Sequence, residues 1–124
     1  MQIFGAIAAI LGGLSVAGGA FASHALQGQL SERAIAVFGT GIRYQMYHAL
    51  ALLVIALLLG QDKVATAWLT AAGWLLVAGV VLFSGSLYLI SLAGMKAVGP
   101  VTPLGGVALI AGWACLAIAA LRTP

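Results

Sequence analysis

The sequence predicts an all-α integral membrane protein, a four-helix bundle with a short interfacial or re-entrant helix between helices 1 and 2. Two observations predict this fold class. Four stretches carry no charged side chain, at 1–31, 44–61, 64–95 and 97–121, and roughly 20 residues of helix are enough to cross a bilayer. The composition, with 64% hydrophobic and 6% charged residues, is also far from that of a soluble domain.

The apolar stretches favour helices over the strands of a barrel. Backbone polar groups inside a bilayer need partners within the protein, so each span is a helix or part of a closed barrel. The stretches lack the period-two alternation of barrel strands. We therefore expect a single transmembrane domain over residues 1–124. Its predicted helices lie at about 2–26, 42–59, 64–91 and 103–121.

The first and last predicted helices each carry a further signal. The first lacks the positively charged start of a signal peptide, so we expect it to remain as a membrane helix. The last is preceded by Thr102, a suitable N-cap, and starts with Pro103, a residue favoured at the first helical position.

Residues 31–41 have an ambiguous pattern. Ser31 is placed to cap a helix, and Arg33 stands among apolar residues that suit the lipid boundary. We predict a separate interfacial segment here, with the break before the second membrane helix marked by Gly39 and Gly41. The alternative is that the second helix begins early and projects beyond the bilayer.

The few charges exclude some classes of partner. The net charge of +3 comes from five basic and two acidic residues. The basic residues are scattered singly and form no patch typical of nucleic-acid binding, so we expect no nucleic-acid partner. The partners we expect are membrane lipids, with a homo-oligomer or a larger membrane complex as a further possibility. The single cysteine, Cys115, lies in an apolar run and is interpreted as a packing residue.

Polar residues of the spans are expected to gather toward one face of the membrane, because the chain crosses it four times. On the second helix, Tyr44, Gln45 and His48 share one helical face, and on the third Ser84 and Tyr88 do the same. These faces predict a candidate ligand-binding cluster. Its residues are His24, Tyr44, Gln45, His48, Ser84, Ser86, Tyr88 and Thr102.

Polar groups inside a membrane are costly, which raises the question of what the cluster does. The simplest interpretation is that it forms hydrogen bonds between helices, each contributing about 1 kcal/mol. A second is a small polar pocket for a lipid headgroup, a quinone or another ligand, in a non-enzymatic binding or accessory module. The main alternative function is a small oligomeric transporter or proton-coupled carrier using His24 and His48, although no carboxylate accompanies them in the spans.

Other chemistries are less favoured. Two histidines suit the axial ligands of a haem electron carrier, but no further haem signature accompanies them, and we expect no cofactor. A zinc site needs more ligands, so no metal site is predicted. No carboxylate is available to orient a histidine base beside Ser84 or Ser86, so no catalytic residue is predicted and we expect a protein that is not an enzyme. Arg33 and Arg43 are expected to reach lipid headgroups.

Four motifs follow one another along the chain. They are Gly-Ala-Phe-Ala-Ser-His-Ala-Leu at 19–26, Tyr-Gln-Met-Tyr-His-Ala-Leu-Ala at 44–51, Leu-Phe-Ser-Gly-Ser-Leu-Tyr at 82–88 and Thr-Pro-Leu-Gly-Gly at 102–106. With these motifs the chain resembles the YgdD/YwdK family of small integral membrane proteins.

The resemblance implies a four-helix protein of the bacterial inner membrane, with both termini in the cytoplasm. On that orientation the polar cluster lies in the outward half of the bundle. Charge counting alone does not decide the orientation, because basic residues at the two faces are nearly balanced. The resemblance does not imply a molecular mechanism.

Overall fold

A computed structural model describes residues 2–124 and contains four long α-helices joined by short loops. The helices are α1 (Gln2–His24), α2 (Glu32–Leu59), α3 (Thr66–Ala93) and α4 (Val101–Arg122), with a short 3₁₀ helix (Lys96–Val98) before α4. Each long helix is apolar and long enough to cross a membrane. The predicted all-α class and the four transmembrane helices are confirmed.

Successive helices pack side by side. Helix α1 packs on α2, α2 on α3 and α3 on α4, and the α3–α4 contact is the most extensive. Short loops connect the helices, so neighbours run antiparallel. The loops 25–31 and 94–100 therefore lie together at one end of the molecule, which we call the polar end. The loop 60–65, the start of α1 and the end of α4 lie at the opposite end.

The apolar core is built around α2 and α3. Leu52 and Ile55 of α2 and Leu76 of α3 are fully buried. Phe4 extends this core to α1, because its ring fits against Gly73 of α3, where an added Cβ would collide with the ring. A side chain near the start of α1 therefore reaches past α2 to the third helix.

Glycines on α4 allow α3 and α4 to approach closely. An added Cβ at Gly105 would collide with the backbone of Phe83, and one at Gly112 would press on Leu76. Lipid tails remove the ordinary hydrophobic drive for association, so close van der Waals contact through small residues holds membrane helices together. Gly105 and Gly112 thus act within the chain, as packing residues.

The predicted interfacial helix is not a separate element. Helix α2 runs for 28 residues without interruption, so the predicted break is wrong and the alternative, a second helix that begins early, is correct. The two glycines were misinterpreted as a break. Gly39 lies under the Arg43 guanidinium, and Gly41 lies against the ring of Tyr88, so each makes room for a neighbouring side chain.

The start of α2 is capped as the sequence predicts. The Ser31 hydroxyl accepts a hydrogen bond from the Ala34 N–H at 3.1 Å. A helix of 28 residues is about 42 Å long, which exceeds the roughly 30 Å hydrocarbon core of a bilayer. Helix α2 is therefore longer than a perpendicular crossing of that core requires.

The ends of α3 and α4 also follow local chemistry. Gly94 ends α3 in the left-handed conformation, with φ of 65°, which glycine adopts without steric cost. Helix α4 begins at Val101, before the predicted start, and Pro100 rather than Thr102 precedes it. Thr102 therefore lies inside the first turn, and its hydroxyl makes a contact with α3 instead of a cap.

Candidate functional site

The structure divides the predicted polar cluster into separate hydrogen-bonded links between helices. Each link joins a different pair or trio of helices, and no single polar chamber is formed among the described residues. The links are Gln45 with Tyr88 and Leu11, Ser84 with Gly41, Ser86 with Thr102, and His48 with Trp113.

Gln45 joins three helices. Its Nε2 donates to the Leu11 carbonyl of α1 at 2.8 Å, and its Oε1 accepts from the Tyr88 hydroxyl of α3 at 2.6 Å. The side chain is only 5% exposed. Both ends of the amide are therefore engaged between helices, and neither is aimed into an open cavity.

Two serines of α3 make the neighbouring links. Ser84 donates to the Gly41 carbonyl of α2 at 2.7 Å. Ser86 donates to the Phe83 carbonyl of its own helix at 2.8 Å and lies 2.5 Å from the Thr102 hydroxyl. Since the Ser86 proton is used by Phe83, the Thr102 hydroxyl is the donor in that pair, and it links α4 to α3.

His48 is held in one tautomer by its two partners. Its Nδ1 lies 2.6 Å from the Tyr44 carbonyl, which can only accept, and its Nε2 lies 3.1 Å from the Trp113 indole nitrogen, which can only donate. These two partners match the tautomer that carries its proton on Nδ1. A proton on Nε2 would set two donors against each other, and a metal at Nε2 would displace the indole.

The structure does not bring His24 to the other cluster residues. His24 is exposed at the last residue of α1, whereas His48 is buried in the middle of α2 and faces α4. The two histidines therefore do not form the pair that a shared haem or proton path requires. Across residues 2–124, no group of three or more His, Cys, Asp or Glu residues is placed to hold a metal ion.

An aromatic groove lies beside His48, between α2, α3 and α4. Its volume is about 610 Å³. We call it the aromatic groove and define it by Tyr44, Tyr47 and His48 of α2, Phe83 of α3, and Gly106, Ile110 and Trp113 of α4. Its rim is exposed on the outer surface of the helices, so it opens toward the bilayer.

Rings make a continuous wall in this groove. The Tyr44 ring lies 4.7 Å from Phe83 and is stacked on His48 at 6.1 Å. The Trp113 ring meets His48 edge to face at 5.9 Å, and Tyr47 lies 5.9 Å from Tyr44. Such centroid separations are typical of favourable aromatic pairs.

The sequence predicts some residues of this groove but not that its lining is mainly aromatic. Tyr44 and His48 belong to the predicted polar cluster, whereas Trp113 is not among its residues. The available signal was the spacing of Tyr44, Tyr47 and His48, which places three rings on adjacent turns of one helix. Nothing in the sequence connected them to Phe83.

The two arginines expected at headgroups lie on different sides of α2. Arg43 lines a groove of about 470 Å³ between α1 and α2, and its guanidinium turns back to donate to the Thr40 hydroxyl at 3.2 Å. This is the direction of the polar end, as snorkelling requires. Arg33 instead lines a smaller cavity that it shares with Lys96.

The four apolar helices and the links between them define a small integral membrane protein of the multi-pass α-helical class. A family model described as "Protein of unknown function (DUF423)" matches residues 18–106. The UPF0382 membrane protein YwdK of Bacillus subtilis is 45% identical over 123 residues, covering 98% of each chain. The UPF0382 membrane protein SERP0230 of Staphylococcus epidermidis is 43% identical over 122 residues, again covering 98% of each chain.

The chain therefore belongs to the UPF0382 membrane protein family, which confirms the resemblance to YwdK and its relatives. No solved structure matches the chain. The names of the relatives state a membrane protein and no activity.

Proposed function

We propose that this protein is a non-enzymatic binding module for a membrane-soluble ligand with a planar ring head, of the isoprenoid quinone class, and that the aromatic groove is its site. One observation carries the proposal: five rings converge on a cavity of about 610 Å³ that opens on the lipid-facing surface. This volume is within the roughly 300–1,000 Å³ of ordinary ligand sites.

The lining suits a ring head rather than an acyl chain. The walls formed by Tyr44 and Trp113 offer aromatic faces and edges for stacking. Gly106 contributes no side chain, so a flat group can approach the α4 backbone. The hydroxyls of Tyr44 and Tyr47 supply donors for a quinone carbonyl, and in hydrocarbon such donors gain from having a partner.

The polar links favour a lipophilic ligand over a hydrophilic one. Gln45, Ser84 and Ser86 already hydrogen-bond between helices, so they are not free to line a path for water or ions. His48 has both ring nitrogens occupied. The carrier alternative therefore has no support in the geometry, and the haem alternative lacks a free histidine nitrogen at this position.

Trp113 is a built-in reporter for the proposed ligand, because quinones quench indole fluorescence on contact. The variant Trp68→Phe/Trp74→Phe keeps Trp113 as the sole tryptophan. The matched control, Trp68→Phe/Trp113→Phe, keeps Trp74, which is similarly exposed (49% against 46%) but packs on Phe4 away from the groove. Both are titrated in nanodiscs with a short-chain quinone.

We expect saturable quenching of Trp113 and only a shallow, linear decrease for Trp74. Linear quenching of equal slope in both proteins would mean partition into the lipid alone, and would contradict the proposal.

A groove-filling variant completes the test. An added Cβ at Gly106 would make ordinary contact with Phe83 at 3.9 Å, so Gly106→Val fills the groove without a backbone collision. Gly13→Val is the control, because a Cβ there has nothing within 4 Å. We expect Gly106→Val to weaken quenching of Trp113 by about tenfold in apparent affinity, equivalent to about 1.4 kcal/mol, and Gly13→Val to leave it unchanged.

The location we propose is the bacterial inner membrane, with both termini on the cytoplasmic side. The family resemblance supports this orientation, and Lys63 and Arg122 stand at the end where α1 begins and α4 ends. A fluorescent-protein fusion after Pro124 tests it. We expect a fluorescent product, whereas an alkaline phosphatase fusion at the same position that is active would contradict the orientation.

A further inference from the structure

A further cavity lies at the polar end, between the start of α2 and the end of α3. Its volume is about 290 Å³. Two cations line it, Arg33 from the first turn of α2 and Lys96 from the 3₁₀ helix after α3, together with the hydroxyl residues Ser31 and Ser91. Within residues 2–124, no carboxylate belongs to this lining.

The pairing of two like charges in one small cavity has an electrostatic consequence. Arg33 and Lys96 come from distant parts of the chain, and the packing of α2 on α3 brings them to the same cavity. Charges of one sign lining a cleft with low-dielectric walls concentrate the field and attract a counter-ion. Of the two acidic side chains, Asp62 lies in the loop at the opposite end and Glu32 is outside the lining.

Hydrogen-bond donors in the cavity match the oxygens of a phosphate. Arg33 offers a planar fork and Lys96 a mobile point charge, the two side chains that proteins use most for phosphate. Ser91 is 6% exposed, and its hydroxyl makes only a long 3.3 Å bond to the Tyr88 carbonyl, so it can turn toward a better acceptor. The first turn of α2 adds the favourable end of a helix dipole.

The rest of the lining is apolar. Ala34 and Val37 of α2 and Ile90 of α3 complete it. A ligand here meets both cationic and apolar side chains, which is the combination found at a membrane surface. This is the environment of a phosphate ester whose remaining part enters the lipid or lies along it.

We propose that the cavity between Arg33 and Lys96 binds the phosphate group of a phosphate ester at the membrane surface. The ester is either the headgroup of a phospholipid or a soluble phosphate, which share the same recognition chemistry. The site is separate from the aromatic groove, and it does not depend on the function proposed for that groove.

Charge-matched variants test the proposal in the full chain. Arg33→Gln/Lys96→Gln removes the two cavity cations, and Lys63→Gln/Arg122→Gln removes two exposed cations at the opposite end. Arg43→Gln removes a cation farther along α2, which lines a different groove. Binding of phosphatidylglycerol to the detergent-solubilised proteins is measured by native mass spectrometry, and glycerol 3-phosphate is then added as a soluble competitor.

We expect the cavity variant to bind phosphatidylglycerol about tenfold more weakly, because charge-assisted hydrogen bonds to phosphate are lost, and both controls to bind as the wild type does. Competition by millimolar glycerol 3-phosphate would identify the phosphate group itself as sufficient, and binding of the lipid without competition would assign the site to an intact headgroup. Equal weakening in all three variants, or no binding of either ester to a folded wild type, would overturn the proposal. Thermal unfolding of each variant checks its fold.

Discussion

Gln45 and Tyr88 are joined side chain to side chain across the α2–α3 interface, with the Tyr88 hydroxyl donating to Gln45 Oε1 at 2.6 Å. The other end of the same amide donates to the Leu11 carbonyl of α1 at 2.8 Å. One buried side chain therefore connects three membrane helices. In hydrocarbon a released polar group finds no water, so losing either contact leaves one end of the Gln45 amide without a partner.

This link predicts energetic coupling between Gln45 and Tyr88. We expect Gln45→Leu and Tyr88→Phe each to destabilise the protein, and the double variant to lose about 1 kcal/mol less than the sum, as for hydrogen bonds between membrane helices. Unfolding by sodium dodecyl sulfate in mixed micelles measures the four free energies. Tyr47→Phe, at an exposed tyrosine, is the control for losing a hydroxyl. Additive effects at Gln45 and Tyr88 would contradict the link.

Adjacent glycines on α4 are predicted to differ sharply. Gly105→Ala forces a Cβ into the Phe83 backbone, whereas Gly106→Ala makes only ordinary contact with the Phe83 ring. Overpacking of this kind costs about 1–3 kcal/mol, so we expect Gly105→Ala to lower the unfolding temperature clearly and Gly106→Ala to change it little. Thermal unfolding in detergent is the measurement. An equally small decrease in the unfolding temperature for both variants would contradict the close approach of α3 and α4 at Gly105.

The His48 tautomer is directly observable. We expect ¹⁵N spectra of histidine-labelled protein to report a protonated Nδ1 and a bare Nε2 for His48, because a carbonyl and an indole N–H are its partners. Trp113→Phe removes the donor and should shift the Nε2 resonance of His48 while leaving His24 unchanged. A protonated Nε2 in the wild type would rule out the indole as its partner.

The continuity of α2 predicts a fixed distance along it. Ala36 and Val54 are exposed positions on this helix, and their separation of 18 residues corresponds to five turns and about 27 Å. Spin labels at these positions, in a Cys115→Ala background, should give a narrow distribution near that value by double electron–electron resonance. A bend at Gly39 and Gly41 would give a shorter, broader distribution.

The four helices could be predicted from the sequence, because a charge-free run long enough to cross a membrane must satisfy its own backbone hydrogen bonds. The starts and ends of three helices lie within two residues of the predicted bounds. The start of α2 was misassigned for a physical reason. Gly39 and Gly41 have the local signature of a break, but in the fold they admit the side chains of Arg43 and Tyr88.

The candidate site was less predictable, because a helical wheel gives the face of a residue and not its partner. The acceptor for Gln45 is the backbone carbonyl of Leu11, which no sequence pattern can mark. Trp113 has no sequence feature that distinguishes it from a lipid-facing residue, and only the fold shows that its indole donates to His48. His24 was assigned to the cluster only because it was expected at the same level of the membrane. In the structure its side chain is exposed and does not contact the other cluster residues.

The central claim is that the aromatic groove holds a ring-bearing membrane ligand, and native mass spectrometry of mildly extracted protein tests it most directly. We predict a stoichiometric extra mass of the isoprenoid quinone class on the wild type and on Gly13→Val, and a much lower occupancy on Gly106→Val. Bare protein in all three samples, or the same bound mass in all three, would contradict the claim.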